Sequence, residues 1–403
     1  MVPHHEPLTS SPNVRTGPVM FLSVLSCRYG GGHQRVAETI AAEWTAATGG
    51  RADVVDYFAR FTSPTFDALT RFWYYQAIRY TPAVQDRFYQ YMGRIRPDSR
   101  FRRAVNRQGM GRLARYLERE RPDVVCCVHW TFAGTMSDLR AAGRTAVPCL
   151  TVITDYVSHG EWLHPHVDRY AVPHDAMAEG LRAWGLPADR VVVSGLPIER
   201  KYARPLDRAA LRARFGLVED RPVVLVMAGA YAALGRIDDV ARVLARGSRP
   251  LQIIVVCANA DRLARRVRAI AAGSPHAWRV LGWVDNVDEL MAASDLLVTK
   301  AGGVTVSEAL ATGLPMVFYG SIPGQEESNG RFITAQGAAL SARTPDELHR
   351  ALAALLADPE RRAELRRAAH GLARPDAARV VVTHLAALAA GGRPTSLAEA
   401  RAT

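Results

Sequence analysis

His33 follows Gly30, Gly31 and Gly32 in the stretch CRYGGGHQRVAETIAAEW, where an apolar run gives way to helical spacing. Glycine lets the backbone come close to a ligand, and a helix N-terminus favours an anion or a developing negative charge. An imidazole at that point stands against the ligand space, beside Gly31 and Gly32. The GxGxxG spacing of a dinucleotide fingerprint is missing, and so is the GxxxxGK of a P-loop.

A second glycine turn, Lys300-Ala301-Gly302-Gly303-Val304-Thr305-Val306-Ser307-Glu308, again leads from an apolar run into a helix. Its amides suit a phosphate at Gly303, Val304 and Thr305. Glu308 stands one turn further in. A carboxylate there can accept two hydrogen bonds from a sugar cis-diol, or it can serve only the helix dipole. Lys300 places a compact ammonium at this turn, in a chain whose only other lysine is Lys201. Gln325, Glu326 and Asn329 cluster after the next apolar run, and such groups suit sugar hydroxyls. The fourth segment, TDYVSHGEWLHPH, sets Asp155 at the end of an apolar run and crowds His159, Trp162, His164 and His166 behind it. HExxH is absent and no cysteine is near, which speaks against zinc. These rings read as a wall for a polar or lipidic acceptor.

Rigid elements must hold these segments. The predicted strands are Val19–Ser26, Val54–Asp56, Val124–Val128, Cys149–Thr154 and Val191–Ser194, then Val223–Met227, Ile253–Ala258, Arg279–Leu281, Leu296–Thr299 and Met316–Tyr319. Between them, stretches such as Gln34–Ala47, Asp261–Ala272 and Val304–Ala311 repeat apolar residues at helical spacing. Buried strands alternating with helices predict an α/β chain with parallel sheets covered on both faces. About ten strands exceed one ordinary sheet, so two doubly wound domains are expected. Ligands bind outside the C-terminal ends of strands in such folds, where all four segments fall. The expected division is a tail at 1–15, an N-terminal Rossmann-like domain at 16–200, a linker at 201–221, a C-terminal Rossmann-like domain at 222–380, and a helix and tail at 381–403.

The 403 residues are 48% hydrophobic and 22% charged, a globular balance that excludes a disordered or fibrous chain. The longest uncharged stretch is the 17 residues Ala309–Gln325, interrupted by Gly and Pro and short of the roughly 20 apolar residues that a membrane helix needs. The N-terminus lacks a signal-peptide pattern, and five cysteines without a CxxC read as buried thiols; both predict a cytoplasmic protein. Lys+Arg is 51 against Asp+Glu 39, a net +12. Arginine in place of lysine reads as the codon bias of a GC-rich, actinobacterial-type genome. The excess of positive charge is a separate matter and predicts an anionic partner. Residues 71–121 hold 13 Arg, four acids and ten aromatics. Each basic residue near an anionic membrane contributes about 1 kcal/mol, and aromatics settle at headgroup depth. Peripheral contact with the inner face of an anionic membrane is therefore expected here, and nucleic acid is not.

Together these segments resemble glycosyltransferase family 28, and more closely its monogalactosyldiacylglycerol synthase and processive diacylglycerol glucosyltransferase branch. CRYGGGHQRVAETIAAEW looks like that branch's N-terminal GGGH loop and helix. TDYVSHGEWLHPHVDRYAV, followed by GLPADRVVVSGLPI, looks like its middle. GWVDNVDELMAASDLLVTKAGGVTVSEALATGLPMVFYGSIPGQEESN is similar to its donor-binding half. The resemblance covers roughly residues 19–56 and 124–342, with the motifs in order.

The resemblance implies a GT-B fold, two Rossmann-like domains facing a central cleft. It implies a UDP-sugar in the C-terminal domain. Backbone near Trp283 and Val284 would meet uracil, and Glu308 the ribose. Gly303, Val304, Thr305 and the loop at Gly229 and Ala230 would meet the diphosphate, with Lys300 beside them. Gln325, Glu326 and Asn329 would surround the donor sugar and ribose. The acceptor would lie in the N-terminal domain, near Gly31, Gly32, His159 and Trp162. His33 would be the catalytic base, with Asp155 as a second base or orienting group. The implied reaction is inverting hexose transfer to a hydroxyl of a lipid of the diacylglycerol type. It needs no cofactor and no metal, in keeping with the absence of a DxD triplet. Two stretches depart from the family: MAGAYAALG is poorer in glycine than its usual loop, and residues 60–120 do not match. The same donor chemistry would serve a specialised metabolite, such as a phosphoglycolipid antibiotic. The fold also carries epimerases and sugar-nucleotide binders.

Overall fold

The computed structural model describes residues 19–28, 31–80, 106–157, 160–229, 236–247, 250–322 and 324–391, without the side chains of 73–75 and 77–80. His159, Ala230 and the middle of the basic aromatic segment lie outside the described residues.

Among the described residues, twelve strands form two six-stranded sheets. The first holds β1 (Phe21–Ser26), β2 (Arg51–Asp56), β3 (Val124–Cys127), β4 (Cys149–Val152), β5 (Arg169–Val172) and β6 (Val191–Val193), in the order β2-β1-β3-β4-β5-β6. The second holds β7 (Val223–Met227), β8 (Gln252–Val256), β9 (Ala277–Leu281), β10 (Leu296–Thr299), β11 (Met316–Tyr319) and β12 (Ala339–Ala342), in the order β12-β11-β10-β7-β8-β9. Every pairing is parallel. Most central strands are buried throughout, which is why they read as unbroken apolar runs.

Two strands exceed the sequence expectation. β12 reads ALSA, without a β-branched residue, and is a strand because Met316–Tyr319 pairs along it. β5 reads RYAV and is held between β4 and β6. In both, tertiary pairing outweighs local propensity.

The helix Gly31–Thr48 shows how sequence becomes packing. Val36, Ala37, Ile40 and Trp44 fall on one face and are fully buried. Burying Val36 and Ile40 contributes about 1.5–3 kcal/mol each. The helix ends where Thr48 Oγ1 donates to the Trp44 carbonyl at 2.8 Å and Gly49 turns left-handed at φ 70°.

The expected linker is an ordered bracket. Arg208 and Arg212 both pair with Asp295 at 2.6 Å, and Asp295 also accepts from the Val223 amide at 2.7 Å. Arg200 reaches back to the buried Glu43. The last described helix, Ala377–Ala389, returns to the N-terminal half and packs on the helix Gly31–Thr48. Gly195 permits this return: it turns at φ 87°, and a Cβ there would meet Arg374 Cβ at 2.3 Å. One of three apolar clusters runs from Leu22 through Leu196 and Tyr202 to Val304 and Leu310, joining the two halves.

Strand order reverses between β1 and β3 in the first sheet and between β7 and β10 in the second. These are the topological switch points, outside whose C-terminal ends ligands bind. The turns after β1 and β3 lead to His33 and His129; those after β7 and β10 carry Gly229 and Lys300–Gly302 and lead to Gly303.

Candidate active site

His33 sits in the first turn of the helix Gly31–Thr48, half-buried. Its Nδ1 is 3.3 Å from Thr154 Oγ1, and its ring meets that of His129 edge-on at 5.1 Å. Desolvation lowers its pKa to about 4, partly opposed by the Val128 carbonyl. The imidazole is therefore neutral at pH 7 and free to accept a proton. His129 caps the helix Trp130–Ala141, its Nδ1 accepting from the Thr131 amide at 3.2 Å. Burial, then the neighbouring His33, holds its pKa well below the usual range. Among the described residues, Cys27, His33 and His129 are the one group with donor atoms mutually close enough for a metal, within 4.8 Å.

The turn after β10 faces this group. A Cβ on Gly303 would stand 2.4 Å from the Thr154 carbonyl, and a Cβ on Gly32 would stand 3.5 Å from Val304 Cγ2. Two helix N-termini, each rich in glycine, thus converge across the cleft. Thr305 is half-buried within the first turn of the helix Gly303–Thr312. Gly303→Ala is expected to force the halves apart and cut turnover by about 10²-fold, the effect of roughly 1 Å of misplacement. Wild-type turnover in that variant would show that catalysis does not use this contact.

Glu308 is buried on the same helix. Its Oε1 lies 3.6 Å from Arg35 Nη1 across the cleft, and its Oε2 has no hydrogen-bond partner. Burial pushes its pKa up to about 7 against the pull of Arg35. An orphaned carboxylate oxygen inside a cleft fits a ligand that brings hydroxyl donors. Lys300 Nζ pairs with Glu326 Oε1 at 2.7 Å, and Glu326 Oε2 accepts from the Ile322 amide at 2.9 Å. Gly229 lies over Lys300, where a Cβ would meet Lys300 Cε at 2.9 Å. The Trp283 ring is exposed and donates to Asp285 at 2.9 Å, while Val284 packs against the core.

Asp155 is engaged elsewhere than at His33. Its carboxylate accepts from Gln325 and, at 3.4 Å, from Asn329, both on the opposite half. Asn329 Oδ1 in turn accepts from the Tyr156 amide at 2.8 Å. Burial raises the Asp155 pKa to about 6, with the two amides pulling the other way. Its predecessor Thr154 is the residue that touches the imidazole. Trp162 is a core side chain, 2% exposed, and so does not line an acceptor surface. His164 is likewise buried, against the Trp130 carbonyl at 3.2 Å.

Thr154, His129 and Arg35 are missing from the sequence-based candidates. His129 had a readable signal, a polar residue directly after the apolar run Val124–Val128. Arg35 had none, being one arginine among many.

The fold matches the crystal structure of Acinetobacter baumannii MurG with a TM-score of 0.61 at 17% identity, over 91% of this chain and 99% of that one. Paired doubly wound sheets with facing switch-point loops define the GT-B fold, and the chain has that fold. Residues 33–198 match the family described as monogalactosyldiacylglycerol (MGDG) synthase, and residues 207–371 match glycosyl transferases group 1. The processive diacylglycerol beta-glucosyltransferase of Bacillus licheniformis is 27% identical, over 90% of this chain and 93% of that protein. Its namesake from Bacillus cereus is 29% identical, over 89% and 91%. Both halves of the chain thus match glycosyltransferase families, and the chain is a glycosyltransferase similar along most of its length to processive diacylglycerol glucosyltransferases.

Proposed function

We propose that this enzyme transfers a hexose from a UDP-sugar to a hydroxyl of a diacylglycerol-type lipid, inverting the anomeric carbon and using no metal. The observation that carries this reading is the pairing across one cleft of a neutral imidazole, His33, with an orphaned carboxylate oxygen on Glu308. The diacylglycerol acceptor is taken from the relatives' activity.

The donor's ribose hydroxyls would donate to Glu308, and its diphosphate would lie at Gly303, Val304 and Thr305. His33 takes the proton of the acceptor hydroxyl as that oxygen attacks the anomeric carbon. The bond from this carbon to the β-phosphate oxygen breaks, and UDP leaves with the electron pair. Helix N-termini at Gly31 and Gly303 stabilise the charge growing on it. Asp155 with Gln325 and Asn329 joins the halves beside the donor sugar.

The acceptor is reached at an anionic surface on the cytoplasmic side. No helix among the described residues is long and apolar enough to cross a membrane. Leu69 and Phe72 stand exposed on the helix Pro64–Tyr80, at the start of the arginine-rich segment.

The test is turnover with UDP-glucose, UDP-galactose and UDP-N-acetylglucosamine on diacylglycerol in vesicles with and without phosphatidylglycerol. A β-linked glycolipid is expected, faster on anionic vesicles and unchanged by EDTA. No lipid product from any of these donors overturns the acceptor. Equal rates on both vesicles overturn the surface contact. Loss of activity in EDTA overturns the metal-free mechanism.

A further inference from the structure

The groups around Glu308 come from two directions. The helix Gly31–Thr48 contributes Arg35; the turn Arg200–Ala203 contributes Lys201 and the buried Tyr202, and Glu199 stands at its N-cap. They form a chain of alternating charge. Arg35 Nη1 lies 3.6 Å from Glu308 Oε1, and Arg35 Nε lies 3.8 Å from Glu199 Oε1. Glu199 Oε2 is 3.1 Å from Lys201 Nζ, which donates to the Asp285 carbonyl at 2.9 Å. Asp285 lies two residues beyond Trp283, in the loop expected at the uracil. The chain therefore leaves one end of the nucleotide pocket, passes through the acceptor-side half, and returns at the other end.

The Arg35–Glu308 spacing matters. At 3.6 Å the guanidinium is too far to fill the carboxylate's lone pairs, yet close enough to favour its charge. A bidentate arginine would compete with the ribose, whereas this one leaves Oε2 without a partner.

We propose that Arg35 is a positioning residue for the donor: from the acceptor-side half it holds Glu308 as a carboxylate able to accept both ribose hydroxyls. This rests on the ribose role of Glu308 given above. A protonated Glu308 would have one acceptor oxygen fewer to offer. Burial already brings its pKa to about 7, with Arg35, the Tyr202 hydroxyl and Lys201 opposing and Glu199 reinforcing the rise. Without Arg35 the group would be protonated at neutral pH, and raising the pH would restore the carboxylate. Nucleotide affinity thus depends on the acceptor-side half being in place.

Calorimetric titration with UDP at about pH 7 and about pH 9 tests this, because the terminal phosphate is ionised throughout that range. Arg35→Gln should weaken UDP binding roughly tenfold at the lower pH and within about twofold at the higher. Arg35→Lys should track the wild type at both. Arg35→Ala serves as the neutral variant if Arg35→Gln does not fold. Glu308→Gln should bind weakly at both. Equal weakening of Arg35→Gln at the two pH values points to a direct phosphate contact or to packing and overturns the proposal, as does unchanged binding. Unchanged binding by Glu308→Gln overturns the ribose reading itself; weak binding there, with Arg35→Gln like the wild type, overturns the role of Arg35 alone.

Discussion

His33→Ala should lower turnover by about 10²–10⁴-fold, the usual contribution of a positioned general base, and leave UDP affinity within about twofold. The imidazole touches Thr154 and the His129 ring, while Glu308 and Lys300, proposed to hold the nucleotide, lie on the other half. Removing it takes away the proton acceptor and little of the donor site. Single-turnover kinetics with UDP titration in parallel separates the two. Turnover near the wild-type rate would remove His33 as the base. A comparable loss of UDP binding would make it a donor ligand instead. Burial also sets the pH dependence. A base with its pKa lowered to about 4 stays unprotonated well below neutrality, so His33 does not produce an acid limb near pH 7.

Glu308→Ala should weaken UDP-sugar binding by about 1–3 kcal/mol, the cost of leaving buried polar partners unpaired. Ribose hydroxyls and the Arg35 guanidinium would both lose their counterpart. The wild-type protein should show a rise in donor affinity as pH increases to about 7, then a plateau. The sign follows from linkage. In the empty site the carboxyl holds its proton up to about pH 7, the ribose prefers the carboxylate, and binding below that pH must release the proton. A UDP-sugar is the better probe below neutrality, since its diphosphate diester does not titrate there. Glu308→Ala should abolish the rise. A pH-independent affinity in the wild type, or an unchanged affinity in the variant, would contradict the ribose role.

Much of this site is legible in local chemistry. A glycine run entering an amphipathic helix marks the positions of His33 and Glu308, because only glycine permits the close backbone approach and only a helix start presents free amides. Gly303 makes the point: its missing Cβ leaves room for the Thr154 carbonyl from the other half. The apolar runs predict parallel strands buried on both faces, and all five cysteines are buried free thiols. Trp162 misleads, since an aromatic residue in a polar loop reads as a surface wall and here fills the core.

Other features depend on contacts between distant segments. The strand character of β12 comes from pairing with β11, because ALSA has no propensity of its own. Asp155 is separated by 170 residues from the Gln325 amide that engages it. Glu308 and Arg35 are likewise joined only by the packing of two helices.

Residue type and spacing were enough to mark two glycine-gated helix starts, with a base candidate on one and a candidate diol-binding carboxylate on the other, in a doubly wound α/β chain. Strand order was beyond their reach. β1 and β3 are neighbours although about 100 residues separate them, and that adjacency alone sets His129 beside His33. The approach of the two halves then decided which charges meet. Carboxylates accessible in an open chain become buried groups with pKa values near neutrality once they are desolvated across a cleft. Desolvation depends on everything packed around a group, and no local pattern encodes it.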